Sequence, residues 1–364
     1  MEPVKTTRSR LLYLDWLRGV AAIIMLQGHV FHSFLRNDLR EGGPYVLSQF
    51  VGGMPPAIFL FLTGITLAFL MHSGERKGVP AGARVVIAMR RAGYLFAIAF
   101  LFRLQLWLFG WPDSAPADLL RVDILNAMGF AILLMSGMAV FTGAQRVRYC
   151  AALGLGIAAA SPLVSMLPWN VVPAVVKSYI APDYNAFGFF PWAAFLAFGM
   201  SAGSLIRMLH REHLDRAMQW SAVLGVVLVV GAYYASNLPY SLYPHSEFWL
   251  DSPAQILIKL GVILMALPFA FVWTEYGAKP GWSWVRQFGT TSLLVYWVHI
   301  ELVYGRWLWF LKTNLDVSQT VLVAVAVIVG MLLLAVAKTY RKQWIPALKD
   351  LLRGTPTPAR VPGD

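Results

Sequence analysis

The chain has 364 residues, of which 58% are hydrophobic and only 13% charged, and it carries a formal net charge of +12 at pH 7. Soluble globular domains hold roughly 45–50% apolar and about 25% charged residues, so this balance excludes an ordinary soluble fold and marks an integral membrane protein. The lone cysteine, Cys150, excludes an intrachain disulfide framework and a cysteine metal site.

Apolar runs of about 17–25 residues, long enough to cross a hydrocarbon core, fall at 11–35, 46–71, 92–109, 119–142, 149–167, 187–209, 217–235, 254–274, 287–310 and 318–338. They predict an all-α bundle of about ten transmembrane helices. Basic residues test that count, because Lys and Arg accumulate in cytoplasmic loops. Lys5, Arg8 and Arg10 precede the first run, and Arg76, Lys77, Arg84, Arg90 and Arg91 follow the second. Arg146 and Arg148, then Arg207, Arg211 and Arg216, then Lys279 and Arg286, follow the fourth, sixth and eighth. Lys338, Arg341, Lys342, Lys349 and Arg353 follow the tenth, whereas the intervening loops hold Asp113, Asp118, Glu247 and Asp251. Both termini are therefore expected in the cytoplasm. The positive charge is spread along one membrane side, which argues against a nucleic-acid partner. Residues 1–10 read as a cytoplasmic segment, 11–342 as one membrane domain, and 343–364 as a cytoplasmic tail with a disordered end. The first run is too long and too polar for a signal-peptide core and is expected to be retained.

The first span carries Asp15, Arg18, His29 and His32. An ionisable group costs roughly 2.5–3.5 kcal/mol at a bilayer centre, so such residues mark use. At about 100° per residue, His29 returns to within about 20° of Arg18, and Asp15 lies one turn from Arg18. One face of this helix is polar. Asp15 with Arg18 also reads as a local ion pair. The second span opens with Gly52, Gly53, Pro55 and Pro56, and Arg103 sits in the third. The fourth enters from outside with Arg121, Asp123 and Asn126, at the level of His29.

Loops 168–186 and 236–253 hold Trp169, Tyr179, Tyr184, Tyr240, Tyr243, His245, Phe248 and Trp249, which suit an interfacial aromatic belt or an acceptor surface. Lys259 in the eighth span falls, like Arg103, in the middle-to-outer region with the other polar groups, and Lys259 and Arg306 also read as side chains that snorkel to the interface. In the ninth, Ser292, Tyr296, His299 and Arg306 recur at helical spacing, with Glu301 nearby. Arg84, Arg90 and Arg91 read as topology signals or as contacts to a nucleotide phosphate.

These polar groups converge on one zone. A neutral His beside a carboxylate acts as general base toward a hydroxyl or amine, or as a transient acyl carrier. Asp123 or Glu301 would fix the imidazole, and Arg103 or Arg121 would offset charge developing on an acyl oxygen. A lone intramembrane His also serves simply as an interhelical hydrogen bond, and that reading stands beside the chemical one for His29, His32 and His299. The histidines are scattered without a carboxylate-rich ligand set, so no metal is expected.

The stretch Leu-Asp-Trp-Leu-Arg18-Gly followed, after an apolar run, by His29 resembles the first-helix signature of the membrane-bound acyltransferase-3 superfamily and the heparan-glucosaminide N-acetyltransferase-like proteins. Pro55-Pro-Ala-Ile-Phe-Leu-Phe-Leu-Thr-Gly64 and Ser292…Tyr296-Trp-Val-His299 resemble their second and late helices. Arg121-Val-Asp123-Ile-Leu-Asn126 is similar to the fourth-helix segment of the bacterial heparan-acetyltransferase-like branch. The resemblance implies acetyl-CoA or another acyl-CoA as co-substrate, presented from the cytoplasm, with no bound cofactor. It further implies transfer inside the membrane domain to a carbohydrate or small-molecule acceptor, in a bacterial inner membrane. It makes His29 the catalytic histidine, with His32 as a rival, and puts Arg18 toward the pantetheine arm. With the converging polar groups, the candidate catalytic residues are His29, Asp123 and His299, and the candidate binding residues are Arg18, Arg103, Arg121, Asn126, Tyr296 and Glu301. A homo-oligomer is compatible with such a chain. The competing classes are a transporter using the same buried Arg, Asp and His groups as a pathway, and a scaffold that holds partners on its helix faces.

Overall fold

The computed structural model describes residues 11–277, 281–342 and 344–345. The basic positions Lys5, Arg8, Arg10, Lys279, Lys349 and Arg353, and the expected disorder of the tail, lie outside these residues. The helices run α1 Leu12–Phe34, α2 Gly43–Gly52, α3 Met54–Arg76, α4 Ala81–Phe109, α5 Ile124–Met135, α6 Gly143–Ser165, α7 Ala174–Ile180, α8 Phe189–Met208, α9 Leu214–Ser236, α10 Pro253–Val272, α11 Trp284–Thr290, α12 Ser292–Tyr304 and α13 Val317–Thr339. Among the described residues the only β pairing is one isolated bridge between Leu35 and Leu315. The fold is an all-α membrane bundle.

Eight helices among the described residues are long and apolar enough to cross a membrane. Two expected spans look different. The first, α1, has the length, but Asp15, Arg18, Gln27, His29 and His32 dilute its apolar content. The run 287–310 is split into α11 and α12, because the chain leaves helical geometry at Thr291 and again at Gly305. Arg306 therefore does not share a helix face with His299, and it turns outward to donate to the Gly110 and Trp111 carbonyls and to Asp113. The run 46–71 is also interrupted: α2 ends at Gly52, and α3 restarts after Gly53 with Pro55 and Pro56 in its first turn, where a missing N–H does no harm. The fourth run begins late. Pro116–Leu120 is a 3-10 turn, and Asp123 is the N-cap of α5 instead of a residue within it, its carboxylate accepting from the Leu125 and Asn126 amides.

Helix α1 lies between two apolar cores. Tyr13, Leu14, Leu17 and Ala21 join residues of α3, α8 and α10, and Ala22, Leu26, Val30 and Phe34 pack with Val295, Val303, Ala324 and Val327 of α12 and α13. Small residues bring backbones together where lipid gives no hydrophobic drive for helix association. A Cβ on Gly64 of α3 would overlap the Leu196 carbonyl of α8, and one on Gly199 of α8 would overlap the Phe61 carbonyl of α3. The most apolar windows of α4, α9 and α13 are only 22%, 17% and 28% buried, so these helices form the lipid-facing rim.

One end of the bundle gathers Arg84, Arg146 and Arg207. Glu75 at the end of α3 takes ion pairs from Arg84 of α4 and from Arg146 of α6, and the Arg146 guanidinium is fully buried while also donating to the Phe141 carbonyl and Ser204. Arg207 lies 4.0 Å over the Phe69 ring, and Trp16 packs on Trp273 at the same end.

The α3–α8 contact generates a test. Gly199→Val, forcing side-chain atoms into a carbonyl, should cost about 1–3 kcal/mol or more and lower the melting temperature of the detergent-solubilised protein. Gly156→Ala in α6, where an added methyl meets open space, should leave melting unchanged or raise it slightly.

Candidate active site

A cavity of about 1170 Å³ enters the bundle from the end opposite the basic face. Its rim is built from the loops after α4, before α8 and after α12, with Asp113, Asp118, Asn185 and Trp309 exposed. Its inner wall includes His29 of α1, Arg103 of α4, Asp123 at the α5 cap, Lys259 of α10, and Tyr296 and Glu301 of α12. The interruption between α2 and α3 opens this space, since Gly52 and Gly53 line it without side chains and Gly52 passes close to Gly28, next to His29.

His29 is held by a chain of hydrogen bonds that sets its protons. The Nδ1 of His299 lies 2.7 Å from the Val295 carbonyl one turn earlier in α12. A carbonyl only accepts, so this Nδ1 carries the proton, and the Nε2 of the neutral ring is left as an acceptor. That Nε2 lies 2.8 Å from Nδ1 of His29, which must then be the donor. The proton of His29 is thereby placed on Nδ1, and its Nε2 keeps a lone pair. The two rings stack at 5.1 Å with an interplanar angle of 15°, and Tyr304 packs edge-on at 5.3 Å. His299 is completely buried behind His29.

The partner of His29 is thus a second imidazole, where a carboxylate was expected. Asp123 is occupied elsewhere: Arg103 Nε lies 3.3 Å from its Oδ2, and its Oδ1 caps α5. Asn126, also buried, completes the capping box and donates to the Tyr179 hydroxyl, so it supports the cavity wall from behind. Glu301 accepts from the Trp307 indole through Oε1, while its buried Oε2 has no hydrogen-bond partner among the described residues. Tyr296 packs on Phe102 and on His299. Arg121 stands at the rim, 3.5 Å from the Asn185 carbonyl. His32 is exposed near the mouth, its ring against Tyr304 and its carbonyl accepting from Arg40, with no second imidazole to orient it. Arg18 does not line the cavity. It pairs with Asp15 at 3.1 Å, about 16 Å along α1 from His29 at the usual helical rise.

Two residues depart from one of the roles read for them in the sequence. Lys259 does not snorkel: it is 7% exposed, with its ammonium 5.1 Å over the Trp192 ring and facing the cavity. The available signal was its setting in Ile256-Leu-Ile-Lys259-Leu-Gly-Val-Ile, far enough into the span that a short reach to water is blocked. Arg146, read as a topology signal, is buried because Glu75 waits for it, a pairing between residues 71 positions apart.

Among the described residues, no group of three or more His, Cys, Asp or Glu side chains is arranged to hold a metal ion. Residues 10–235 match the family model described as heparan-alpha-glucosaminide N-acetyltransferase, catalytic. No curated protein matches the chain. The matched segment carries His29, Arg103 and Asp123, and stops before α10 and α12, which supply Lys259 and His299.

The Arg103–Asp123 pair can be tested by a double-mutant cycle. Arg103→Met should cost about 3 kcal/mol, because Asp123 is left charged and nearly buried. Adding Asp123→Asn, which keeps the helix cap, should restore most of that loss in thermal melting.

Proposed function

Because the chain belongs to the heparan-alpha-glucosaminide N-acetyltransferase catalytic family, a family of membrane acetyltransferases that use acetyl-CoA, we propose that it moves an acetyl group from acetyl-CoA to a hydroxyl or amine of a carbohydrate or similar acceptor, with His29 as general base. The observation that carries this reading is the hydrogen-bond chain from Val295 through His299 to His29, which leaves His29 Nε2 with its lone pair on a ring that lines the cavity.

In the proposed reaction the acceptor oxygen or nitrogen attacks the thioester carbonyl and gives its proton to His29 Nε2. The carbon–sulfur bond breaks as the new acyl bond forms, and the proton passes to the departing CoA thiolate. His299 stabilises the imidazolium by accepting from Nδ1, the role a carboxylate plays in other triads. Arg103, neutralised in part by Asp123, stands on the cavity wall as a donor toward charge on the acyl oxygen, and Arg121 serves the same face at the rim. A space of about 1170 Å³ is large enough for the reacting ends of both substrates, which supports direct transfer over a covalent acetyl-histidine. In this reading the basic face lies on the cytoplasmic side of a bacterial inner membrane, where acetyl-CoA is supplied, with Arg18 toward the donor arm and the cavity mouth toward the acceptor.

The test uses purified protein in nanodiscs with radiolabelled acetyl-CoA and an amino-sugar acceptor. His29→Ala should abolish transfer, and His299→Ala should reduce kcat by about 10²–10⁴ while the acetyl-CoA KM changes little. Monodispersity and melting must stay close to wild type in both variants. Wild-type turnover in His29→Ala would overturn the assignment, and acceptor flux without CoA release would make the protein a transporter.

A further inference from the structure

Lys259 is a cation inside the bundle with no anion beside it among the described residues. Its neighbours along α10, Ile258 and Leu260, are apolar, and its Nζ takes part in no hydrogen bond or ion pair among the described residues. Of the other cations lining the cavity, Arg103 pairs with Asp123 and Arg306 with Asp113, while Lys312 donates to the Tyr304 carbonyl and Arg121, exposed at the rim, to the Asn185 carbonyl. A buried ammonium held only over an aromatic face is costly in a low-dielectric span, and such groups are retained where a ligand brings the missing charge.

Its position specifies what that ligand is. A Cβ added to Gly53 would lie 3.5 Å from Nζ, and the preceding Gly52 lies against Gly28, next to His29, so the glycine turn between α2 and α3 stands between Lys259 and His29. On the same wall stand Trp192, beneath the ammonium, and Trp249, about half exposed and edge-on to Phe50. Aromatic faces beside a buried cation that has no hydrogen-bond partner suit a sugar ring that carries a negative substituent. This wall belongs to a cavity open at the end away from the basic face, the end assigned to the acceptor in the acetyltransferase reading.

We propose that Lys259, with Trp192 and Trp249, forms an anion subsite that selects acceptor sugars bearing a carboxylate or phosphate, across the Gly52–Gly53 turn from His29. The identity of the ligand as an acceptor rests on the acetyltransferase reading, whereas the subsite itself rests on the unpaired ammonium and the cavity.

Binding and turnover test these separately, using full-length protein in detergent with glucosamine and glucosamine 6-phosphate as the probe pair. Equilibrium dialysis of the labelled sugars, without acetyl-CoA, should show wild type holding the phosphorylated sugar about tenfold more tightly or better, as one charge-assisted contact provides. Lys259→Met should bring that ratio to within about twofold, and Lys259→Arg should retain most of it. In acetyl transfer, the ratio of kcat/KM for the two sugars should fall in Lys259→Met by the same factor, with the KM for acetyl-CoA moving less than about twofold. Equal binding of the two sugars by wild type ends the proposal without any variant, as does a ratio that survives Lys259→Met. A rise in acetyl-CoA KM that tracks the loss would assign the ammonium to the donor and overturn the acceptor subsite. Selective binding with no acetyl transfer would uphold the subsite and sink the acetyltransferase reading for these sugars, and transfer without selectivity would do the reverse.

Discussion

A carbonyl oxygen accepts protons and never gives them, and the chemistry of this cavity depends on that asymmetry. Val295 fixes the proton on one nitrogen of His299, which fixes the acceptor on the other, which fixes the proton of His29. The geometry needs α12 to be helical at this point, since Val295 and His299 are one turn apart, and it needs α1 and α12 side by side, which the shared apolar core of Val30, Phe34, Val295 and Val303 provides. Ser33 fastens the same two helices further out by donating to the Val303 carbonyl. A dry helix interface therefore sets the state of a polar ring at its edge.

The remaining polar groups of the bundle follow the rule that hydrocarbon enforces, that each needs a partner within the protein. Asp123 meets two amides and a guanidinium, Asn126 meets a tyrosine hydroxyl, and Arg146 meets a carboxylate, a hydroxyl and a carbonyl. Among the described residues the cavity wall holds departures at the Lys259 ammonium over the Trp192 ring and at the second oxygen of Glu301, while the hydroxyls of Tyr13 and Ser161 are left without a hydrogen-bond partner elsewhere in the bundle.

The class and the family were legible because they rest on composition, span length and short motifs on single helices, such as Asp15, Arg18 and His29 on the first. The helical periodicity of Tyr296 and His299 likewise needed only local spacing. Interruptions were less legible: Gly53 and Thr291 break apolar runs whose hydropathy continues across the break, so a window that averages residues passes over them. Pairings across the bundle were not legible at all. Depth estimates put Asp123 and His29 at one level, but nothing in a linear chain says that Arg103 takes the carboxylate and leaves the imidazole to His299. Lys259 was misplaced for a related reason, since snorkelling depends on whether the neighbouring helices leave a path to water.

The ion pairs at Glu75 carry a consequence for how the molecule is made. Ribosomal synthesis delivers α3 and α4 before α6, and the first contact, Glu75 with Arg84, lies within one helical hairpin. The guanidinium of Arg146 arrives later and ends without solvent contact, a burial that a lone cation resists. The anion that receives it is by then already anchored, so the order of emergence from the translation machinery matches the order in which charge can be neutralised. A circularly rearranged gene that sent α6 in first would present the cation before its counterion.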